Sequence, residues 1–267
     1  MKYLIIVCFM IVVNVLQAQQ SLFLVAGQSN AVGMADSSAS VTTTASEYCY
    51  TTNSLKPLKD PVGCNELHFQ KASTGSAWPA FADAYAKQTG DKVVIAQAAR
   101  GGSSCSYKAE LDDYGTWDTT GRLPLFDSAI IKTKAAIRKT GIPLKGIIWS
   151  QGERDANAIN TGQLTAAVYK STLENLILRF RKKLGHDTPF YIIQTGYYKD
   201  HDKKGFDEVR TCQRDVAAQV KNVMLVYDET GSFIQKGLMK DQIHYNQQAL
   251  NMIGKTVAER IVSAEKK

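Results

Sequence analysis

The sequence has few histidines and cysteines and lacks the common motifs that bind metals and nucleotides. It contains four histidines and five cysteines among 267 residues, and no C-x-x-C, H-E-x-x-H or G-x-G-x-x-G pattern. Gly254-Lys255-Thr256 resembles the end of a phosphate-binding loop, but Ala249 stands where that motif needs its first glycine. The G-x-S-x-G turn of α/β-hydrolases is also missing. These absences exclude the enzyme classes that depend on those motifs.

The N-terminal apolar run is too short to cross a membrane. It extends from Tyr3 to Val15 and is interrupted by Asn14, whereas a spanning helix needs about 20 apolar residues. Lys2 before the run and Ala18 after it are typical of a cleaved signal peptide. We therefore expect residues 1–18 to be removed, no membrane span to remain, and residues 19–267 to form one secreted or periplasmic domain. The oligomeric state is left open.

Removal of that segment would leave four cysteines, namely Cys49, Cys64, Cys105 and Cys212. An oxidising compartment permits disulfides between them, with three connectivities. Cys49 and Cys64 lie in one loop-rich segment and are the favoured pair, while four free buried thiols remain the alternative. No cysteine or histidine spacing indicates a structural metal.

The net charge of +7 does not indicate a nucleic-acid partner. The basic residues cluster in two helix-like stretches: Lys132, Lys134, Arg138 and Lys139 in one, and Arg179, Arg181, Lys182 and Lys183 in the other. Apolar residues are interspersed with them, which predicts solvated helix faces. No nucleic-acid-binding motif accompanies the clusters.

Short apolar runs alternate with segments of helical periodicity. The predicted strands are Leu22–Ala26, Val93–Ala98, Gly146–Ser150, Phe190–Gln194 and Val223–Tyr227. The predicted helices are Trp78–Gln88, Leu125–Thr140, Leu164–Leu184, Phe206–Val220 and Asn246–Ser263. Strands that are apolar throughout are covered on both faces. The alternation therefore predicts an α/β fold with a five-stranded parallel sheet between helical layers.

Polar blocks follow the first three strands, at the edge where ligands bind in such sheets. They are Gly27-Gln28-Ser29-Asn30, Arg100-Gly101-Gly102-Ser103 and Trp149-Ser150-Gln151-Gly152-Glu153-Arg154-Asp155. A serine on a sharp turn there can act as a nucleophile, and adjacent glycines and a glutamine amide can supply N–H donors to an oxyanion. Simple turns remain an alternative for the first two blocks. Glu153 and Asp155 either support the site or form a glycosidase pair, and we favour support.

A general base has to come from one of the four histidines. His186 precedes the fourth strand, at the wrong edge of the sheet, whereas His68 and His201 follow strands and can reach the right one. His244 follows the fifth strand, and Asp241 lies three residues before it, close enough for a carboxylate to orient the imidazole. We favour His244 with Asp241, and a helix cap is the alternative.

Taken together, these blocks resemble the SGNH-hydrolase superfamily, and more narrowly its sialate O-acetylesterase-like and carbohydrate esterase family 6 branch. That branch has G-Q-S-N, G-G, W-x-Q-G-E and D-x-x-H in this order, and the match spans almost all of residues 19–267. The wider superfamily places an asparagine in a G-x-N-D block, where this chain has Gln151 before Gly152-Glu153. The resemblance implies a flavodoxin-like three-layer α/β/α fold and ester hydrolysis without a metal or cofactor.

The resemblance also implies a role for each matching residue. Ser29 would be the nucleophile, His244 the base and Asp241 its partner. The backbone amides of Ser29 and Gly102 and the Gln151 side chain would form the oxyanion hole, with Gly101 as the alternative glycine. Residues expected to support the site are Gln28, Asn30, Gly101 and Glu153.

The expected function is hydrolysis of O-acetyl groups on a carbohydrate of the acetylxylan or sialic acid type. Aromatic residues that could stack on a sugar ring are Tyr107, Trp117, Tyr197 and Tyr198, although loop packing explains each equally well. Two other functions stay open: a lipase-like SGNH esterase for longer acyl chains, and a non-catalytic carbohydrate-binding protein.

Overall fold

The computed structural model describes residues 19–266, so the predicted signal peptide lies outside the described residues. Its central sheet has seven strands: β1 (Gln20–Gly27), β2 (Ser46–Cys49), β3 (Ser54–Pro57), β4 (Lys92–Ala99), β5 (Leu144–Ser150), β6 (Phe190–Ile193) and β7 (Val223–Tyr227). Their order in the sheet is β3-β2-β4-β1-β5-β6-β7. All neighbours pair in parallel except β2 and β3.

The prediction of five strands was therefore wrong in number, although the fold class is confirmed. The five predicted strands correspond to β1 and β4 to β7, whereas β2 and β3 were missed. These two strands have the sequences SEYC and SLKP. Each is four residues long and mixes polar with apolar residues, so neither forms the apolar run by which buried strands are recognised.

Seven α-helices surround the sheet: α1 (Ser29–Val32), α2 (Trp78–Thr89), α3 (Phe126–Thr140), α4 (Glu153–Asn160), α5 (Ala166–Leu184), α6 (Lys204–Gln219) and α7 (Gln247–Glu265). Short 3-10 helices cover Tyr107–Ala109 and Glu229–Ser232. The five predicted helices agree with α2, α3, α5, α6 and α7 to within two residues at each end. The short helices α1 and α4 were not predicted as elements. Within residues 19–266, no helix has the length and apolarity needed to cross a bilayer.

The central strand β1 shows why the sheet has helices on both faces. Leu22, Leu24 and Ala26 point into the core that contains α3 and α5. Phe23 and Val25 point into the core that contains α2 and α7. Because both sets are buried, the strand is apolar from Leu22 to Ala26, as expected for a strand covered on both sides.

The packing of α7 on α2 explains the sequence that resembles a phosphate loop. Gly254 lies where the two helices touch, and a Cβ added there would lie 2.2 Å from the Ala77 carbonyl oxygen. The glycine therefore allows close helix packing. The start of α7 is capped by the Asn246 side chain, which accepts a hydrogen bond from the Ala249 N–H at 2.9 Å.

The interpretation of the basic clusters as solvated faces was wrong at two positions. Lys132 is fully buried, and its Nζ lies 2.6 Å from Glu66 Oε1. Arg181 is also buried and donates hydrogen bonds to backbone carbonyls, among them that of Lys221. The other lysines of both clusters are exposed.

Candidate active site

The three polar blocks lie side by side at the carboxyl edge of the sheet. Gly27, the last residue of β1, is opposite Ala99 of β4 on one side and Ser150 of β5 on the other. Because these strands are adjacent and parallel, the residues that follow them converge on one place. This is the crevice where open α/β sheets bind ligands.

The turn that carries Ser29 depends on the glycine before it. Gly27 has φ +140°, and a Cβ there would lie 2.0 Å from the Ser150 carbonyl oxygen. Only glycine allows β1 and β5 to approach so closely at this point. The Gln28 N–H then donates to the same carbonyl at 2.9 Å. Ser29 begins α1 and is 7% exposed, so its side chain lies just below the surface.

Asn30 connects the Ser29 turn to the loop that carries His244. Its Nδ2 donates to Glu153 Oε1 at 2.9 Å and to the Ile243 carbonyl at 3.3 Å. Its Oδ1 accepts from the Tyr245 N–H at 3.3 Å. The residues before and after His244 are thus both bonded to the residue that follows Ser29. The sequence pattern did not predict this connection between the two loops.

Asp241 is hydrogen-bonded to His244 in the way that the sequence predicted. Its Oδ2 lies 2.9 Å from His244 Nδ1, and its Oδ1 accepts from the N–H groups of Ile243 and His244 at 2.9 and 2.8 Å. Partial burial works to raise the pKa of Asp241, but these hydrogen bonds outweigh it and hold the pKa below its usual value. The carboxylate is therefore ionised at neutral pH and favours the His244 tautomer with its proton on Nδ1.

Within residues 19–266, the Ser29 hydroxyl makes no hydrogen bond to His244 or to any other group. Hydrogen bonds between catalytic groups often tighten only when a substrate binds. What the structure shows is that Asn30 holds the two loops at neighbouring positions. The nucleophile and base roles of Ser29 and His244 stay predictions.

The Gly-Gly block leaves one backbone amide available. The Gly101 N–H donates to Gln70 Oε1 at 2.8 Å. Among the described residues the Gly102 N–H has no hydrogen-bond partner. A Cβ added at Gly101 would lie 3.9 Å from Ser29 Cβ, so the block is next to the serine. Of the two glycines, Gly102 is therefore the better donor for an oxyanion.

Gln151 is buried in this edge, but its amide hydrogens are already engaged. Its Nε2 donates to Asp155 Oδ2 at 2.5 Å and to the Ser103 carbonyl at 3.2 Å. To donate to an oxyanion, Gln151 would have to give up the longer of these bonds. Gln151 lies between two of the polar blocks, as the sequence predicted. Both of its amide N–H groups bond to protein atoms, so neither is free to bind a ligand.

Asp155 and Glu153 are both buried and both bind protein groups. Asp155 accepts from the N–H groups of Cys105 and Ser106 at 2.8 and 3.0 Å, and burial raises its pKa to about 6. Burial also raises the pKa of Glu153, against the Asn30 hydrogen bond. Because neither carboxylate is accessible, they do not form a glycosidase pair, and their supporting role is the better interpretation.

Gln28, in the first polar block, is hydrogen-bonded to the backbone of the third block. Its Oε1 accepts from the N–H groups of Gly152 and Arg154 at 3.2 and 3.3 Å. Together with Asn30 and Gly101, it belongs to the residues that the sequence had indicated as support, and each of them makes contacts between separate segments.

The other candidates from the sequence occupy different places. His201 stacks on Tyr198 with ring centroids 3.6 Å apart, and His186 is exposed in a turn. His68 lines a 570 Å³ cavity beside Arg100. Trp117 is fully buried and stacks in the core, so it is excluded as a sugar platform.

Two residues near the site were not found from the sequence. Gln70 holds Gly101, and Tyr114 packs its ring against Gly102: a Cβ added to that glycine would lie 2.7 Å from Tyr114 Cγ. Both lie in irregular loops distant in the sequence from their partners. No motif or periodicity marks them.

Only one group of three neighbouring potential metal ligands occurs within residues 19–266. It consists of Cys49, Cys64 and Glu66, whose ligand atoms lie within 4.8 Å of one another. None of these residues belongs to the polar blocks. The four described cysteines are free thiols in this structure.

Comparison with known proteins supports one family. A family model described as "Carbohydrate esterase, sialic acid-specific acetylesterase" matches residues 19–263. No curated protein matches the sequence. Among solved structures, a protein from Arabidopsis thaliana is similar with a TM-score of 0.71 and 20% identity, over 92% of this chain and 99% of that one.

Two further structures are similar. NanS gives a TM-score of 0.65 and 17% identity, over 93% of this chain and 98% of its own. XAC1771, described as a carbohydrate acetylesterase from Xanthomonas citri, gives 0.56 and 18%, over 91% of this chain and 56% of its own. At these identities the similarity to solved structures shows the shared fold.

Proposed function

The chain belongs to the family of sialic acid-specific carbohydrate acetylesterases, and on that premise we propose that it removes acetyl groups from sugars by a serine mechanism. Carbohydrate O-acetylester hydrolysis is the activity of the family. The proposal concerns the residues that perform it, the sugar and the place where the enzyme works. The observation that carries it is the link through Asn30 between the Ser29 turn and the Asp241–His244 pair.

The proposed reaction has two steps. His244 Nε2 takes the proton of Ser29 Oγ as that oxygen attacks the acetyl carbonyl, and then returns the proton to the departing sugar hydroxyl. Water, activated by the same imidazole, hydrolyses the acetyl-serine and releases acetate. Asp241 keeps the His244 proton on Nδ1 and stabilises the imidazolium that forms in each step.

The proposed oxyanion hole combines two backbone amides and one side chain. The Ser29 N–H and the Gly102 N–H supply the backbone donors, and the free state of the latter supports this choice. Gln151 is the third proposed donor, on exchange of its 3.2 Å bond to the Ser103 carbonyl for the developing negative charge. Gln151→Ala should lower kcat by about 10²–10³. An unchanged kcat in a variant that melts like the wild type would remove Gln151 from the hole.

The test of the serine mechanism is acetate release from O-acetylated sialic acid and from acetylated xylan. Wild type, Ser29→Ala and the control Ser171→Ala, an exposed serine on α5, are measured side by side. Release by the wild type and the control, but not by Ser29→Ala, is the expected outcome. Equal release by all three would contradict Ser29 as nucleophile, and the substrate that reacts identifies the class of sugar.

We also propose that the enzyme acts outside the cytoplasm after loss of residues 1–18. The support is the charged, apolar and small-residue order of that segment. The intact mass and N-terminal sequence of protein recovered from the periplasm or medium test this. A product that begins at Gln19 is expected, and a full-length chain retained in the cytoplasm would contradict it.

A further inference from the structure

Tyr114 stands beside the proposed oxyanion donor with part of its ring in solvent. The ring packs on Gly102, since a Cβ there would lie 2.7, 3.0 and 3.1 Å from three of its carbons. The residue is nevertheless 42% exposed. Gly101 lies in turn against Ser29. A large, partly exposed aromatic surface therefore packs on the glycine block that adjoins Ser29.

The Arg100 side chain holds the loop that carries Tyr114 through hydrogen bonds to backbone carbonyls. Arg100 Nε donates to the Tyr114 carbonyl at 2.9 Å, and its two terminal nitrogens donate to the carbonyls of Asp113 and His68 at 2.7 and 2.8 Å. Since Arg100 directly precedes the Gly-Gly block, the ring and the oxyanion donor are positioned together. A preorganised ring loses little conformational entropy when it binds a ligand.

A cavity lined mainly by residues with ionisable side chains adjoins this loop. It has a volume of about 570 Å³ and is lined by His68, Arg100, Asp112, Asp113, Arg122 and Leu123. Charged donors and acceptors of both signs suit the hydroxyl groups of a sugar.

We propose that Tyr114 is the platform on which the sugar ring of the ester lies while its acetyl group enters the Ser29 site. The face of a pyranose presents C–H groups that pack on an aromatic ring, and its hydroxyls would then face the carboxylates and the Arg122 guanidinium that line the cavity. The inference rests on the proposed function and adds the residue that selects a sugar ester over a simple one. Tyr114 is a specificity residue here, because acetyl transfer itself does not require it.

The experiment compares a sugar ester with an ester that has no ring. For O-acetylated sialic acid or acetylated xylo-oligosaccharide, Tyr114→Ala should raise KM by about 5- to 10-fold, as loss of an aromatic contact does, and Tyr114→Phe should change it little. Hydrolysis of ethyl acetate should stay within about twofold of wild type. Tyr107→Ala is the matched control, because Tyr107 is 47% exposed on the neighbouring 3-10 helix.

Two results would overturn the platform. Equal losses of activity on the sugar ester and on ethyl acetate would mean that Tyr114 only supports Gly102. An equal rise in KM for the sugar ester in the Tyr107 and Tyr114 variants would show that Tyr114 is not the specific platform. Calorimetric titration of the same sugar esters into Ser29→Ala protein, with and without Tyr114→Ala, keeps the test independent of the proposed mechanism. Weaker binding in the double variant is expected, and unchanged binding contradicts the proposal even if Ser29 is not the nucleophile.

A second inference comes from the thiols of Cys49 and Cys64. Their sulfur atoms lie within 4.8 Å of each other, although β3 separates the two residues in the chain. Cys49 ends β2 and is buried, while Cys64 is partly accessible to solvent. The segment that contains Cys64 continues to Gln70, which holds Gly101 of the catalytic edge.

The surroundings of the thiols do not favour a cation. Glu66 Oε1 is 2.6 Å from the Lys132 ammonium, and its Oε2 accepts from the Thr51 N–H and hydroxyl at 2.9 and 3.0 Å. Lys56 Nζ donates to the Gly63 carbonyl, next to Cys64, at 3.1 Å. The two ammonium groups would repel a metal ion, and both oxygens of the Glu66 carboxylate already bond to protein groups.

We infer that Cys49 and Cys64 form a disulfide in the exported protein. The two thiols lose two protons and two electrons to a disulfide oxidant, such as oxidised glutathione, which becomes two thiols as the S–S bond forms. The cross-link closes a short loop and ties the segment that leads to Gln70 to the edge of the sheet.

Peptide mapping of protein purified from an oxidising compartment, alkylated without reduction, tests the pair. A linked Cys49–Cys64 peptide is expected, with Cys105 and Cys212 alkylated. Dithiothreitol should lower the Tm of wild type by about 5–10 °C but not that of Cys49→Ser/Cys64→Ser, and Cys212→Ala should respond as wild type does. Four alkylated cysteines, or one zinc ion retained per chain after dialysis, would overturn the disulfide.

Discussion

Two carboxylates in this protein make similar hydrogen bonds, but one is buried and the other is partly exposed to solvent. Glu66 accepts two backbone N–H groups, from Tyr50 and Thr51, and lies 2.6 Å from the Lys132 ammonium. Asp241 accepts two backbone N–H groups and lies 2.9 Å from the His244 imidazole. The side chains of the first pair are 0% and 1% exposed, and those of the second pair 25% and 43%.

The difference in burial distinguishes a pair suited to a structural role from a pair suited to acid–base chemistry. In Glu66–Lys132, burial raises the cost of every change of charge, so the pair stays ionised and holds the β2 edge to α3. In Asp241–His244, both side chains are partly open to solvent, as the proposed acid–base role requires. Similar hydrogen bonds therefore stabilise the fold in one place and support the proposed acid–base chemistry in the other.

The strongest test of this comparison removes the charge of Asp241. Asp241→Asn keeps the shape but favours the wrong His244 tautomer, so kcat should fall by about 10⁴, with little change in Tm. Asp187→Asn, at an exposed aspartate, is the control. Acetate release and thermal melting measure the two effects. A large loss of Tm with activity retained would reverse the roles assigned to the two pairs.

The matching change in the buried pair should act on stability. Glu66→Gln leaves the Lys132 ammonium buried without its partner and should lower the free energy of unfolding by about 3–5 kcal/mol. Denaturant unfolding measures this. The double variant Glu66→Gln/Lys132→Met should recover much of the loss, because it removes the unpaired charge. Glu229→Gln, which breaks an exposed pair with Lys236, should cost less than about 1 kcal/mol.

Asn30 lies between the two cases, because it binds the buried Glu153 and the exposed histidine loop. Asn30→Ala should lower the free energy of unfolding by about 1–3 kcal/mol, as a buried acceptor loses its donor. It should also lower kcat by about 10- to 100-fold as the two loops separate. If kcat falls without any change in stability, Asn30 acts on chemistry alone, and the link between the loops is not what matters.

The smallest expected effect is on acid stability. Burial opposes ionisation of Glu66, but Lys132 and the two N–H groups lower its pKa from 4.5 to about 2. A depressed pKa contributes stability above pH 4.5 that is lost as the pH falls toward about 2. Wild type should therefore lose more unfolding free energy than Glu66→Gln between about pH 5 and about pH 3. Urea midpoints at both values measure the difference, and parallel losses would contradict it.

The sequence predicted the parts of this molecule that repeat a local pattern. Five strands and five helices could be recognised because their apolar spacing is set by burial on one or two faces. The edge strands β2 and β3 lack that pattern. Lys132 looked solvated, since nothing near it in the chain shows that Glu66, 66 residues earlier, neutralises it.

The candidate site shows the same division. The four motif blocks could be found because each has a turn or a polar group directly after a strand or before a helix. Gln70 and Tyr114 could not, because their importance comes from contacts with Gly101 and Gly102, which lie 31 and 12 residues away in the chain. The engagement of Gln151 by Asp155 was equally hidden, since only coordinates show where an amide points.

The hydrogen bond between Asn30 and Tyr245 joins positions 215 residues apart, and this has a consequence for the making of the protein. The Ser29 turn is synthesised long before the histidine loop. Between them the chain has to thread β1 into the middle of the sheet, with β4 and β5 on either side. Under the proposed mechanism, hydrolytic activity should therefore appear only after the histidine loop has been synthesised, and a chain truncated before that loop should not hydrolyse esters.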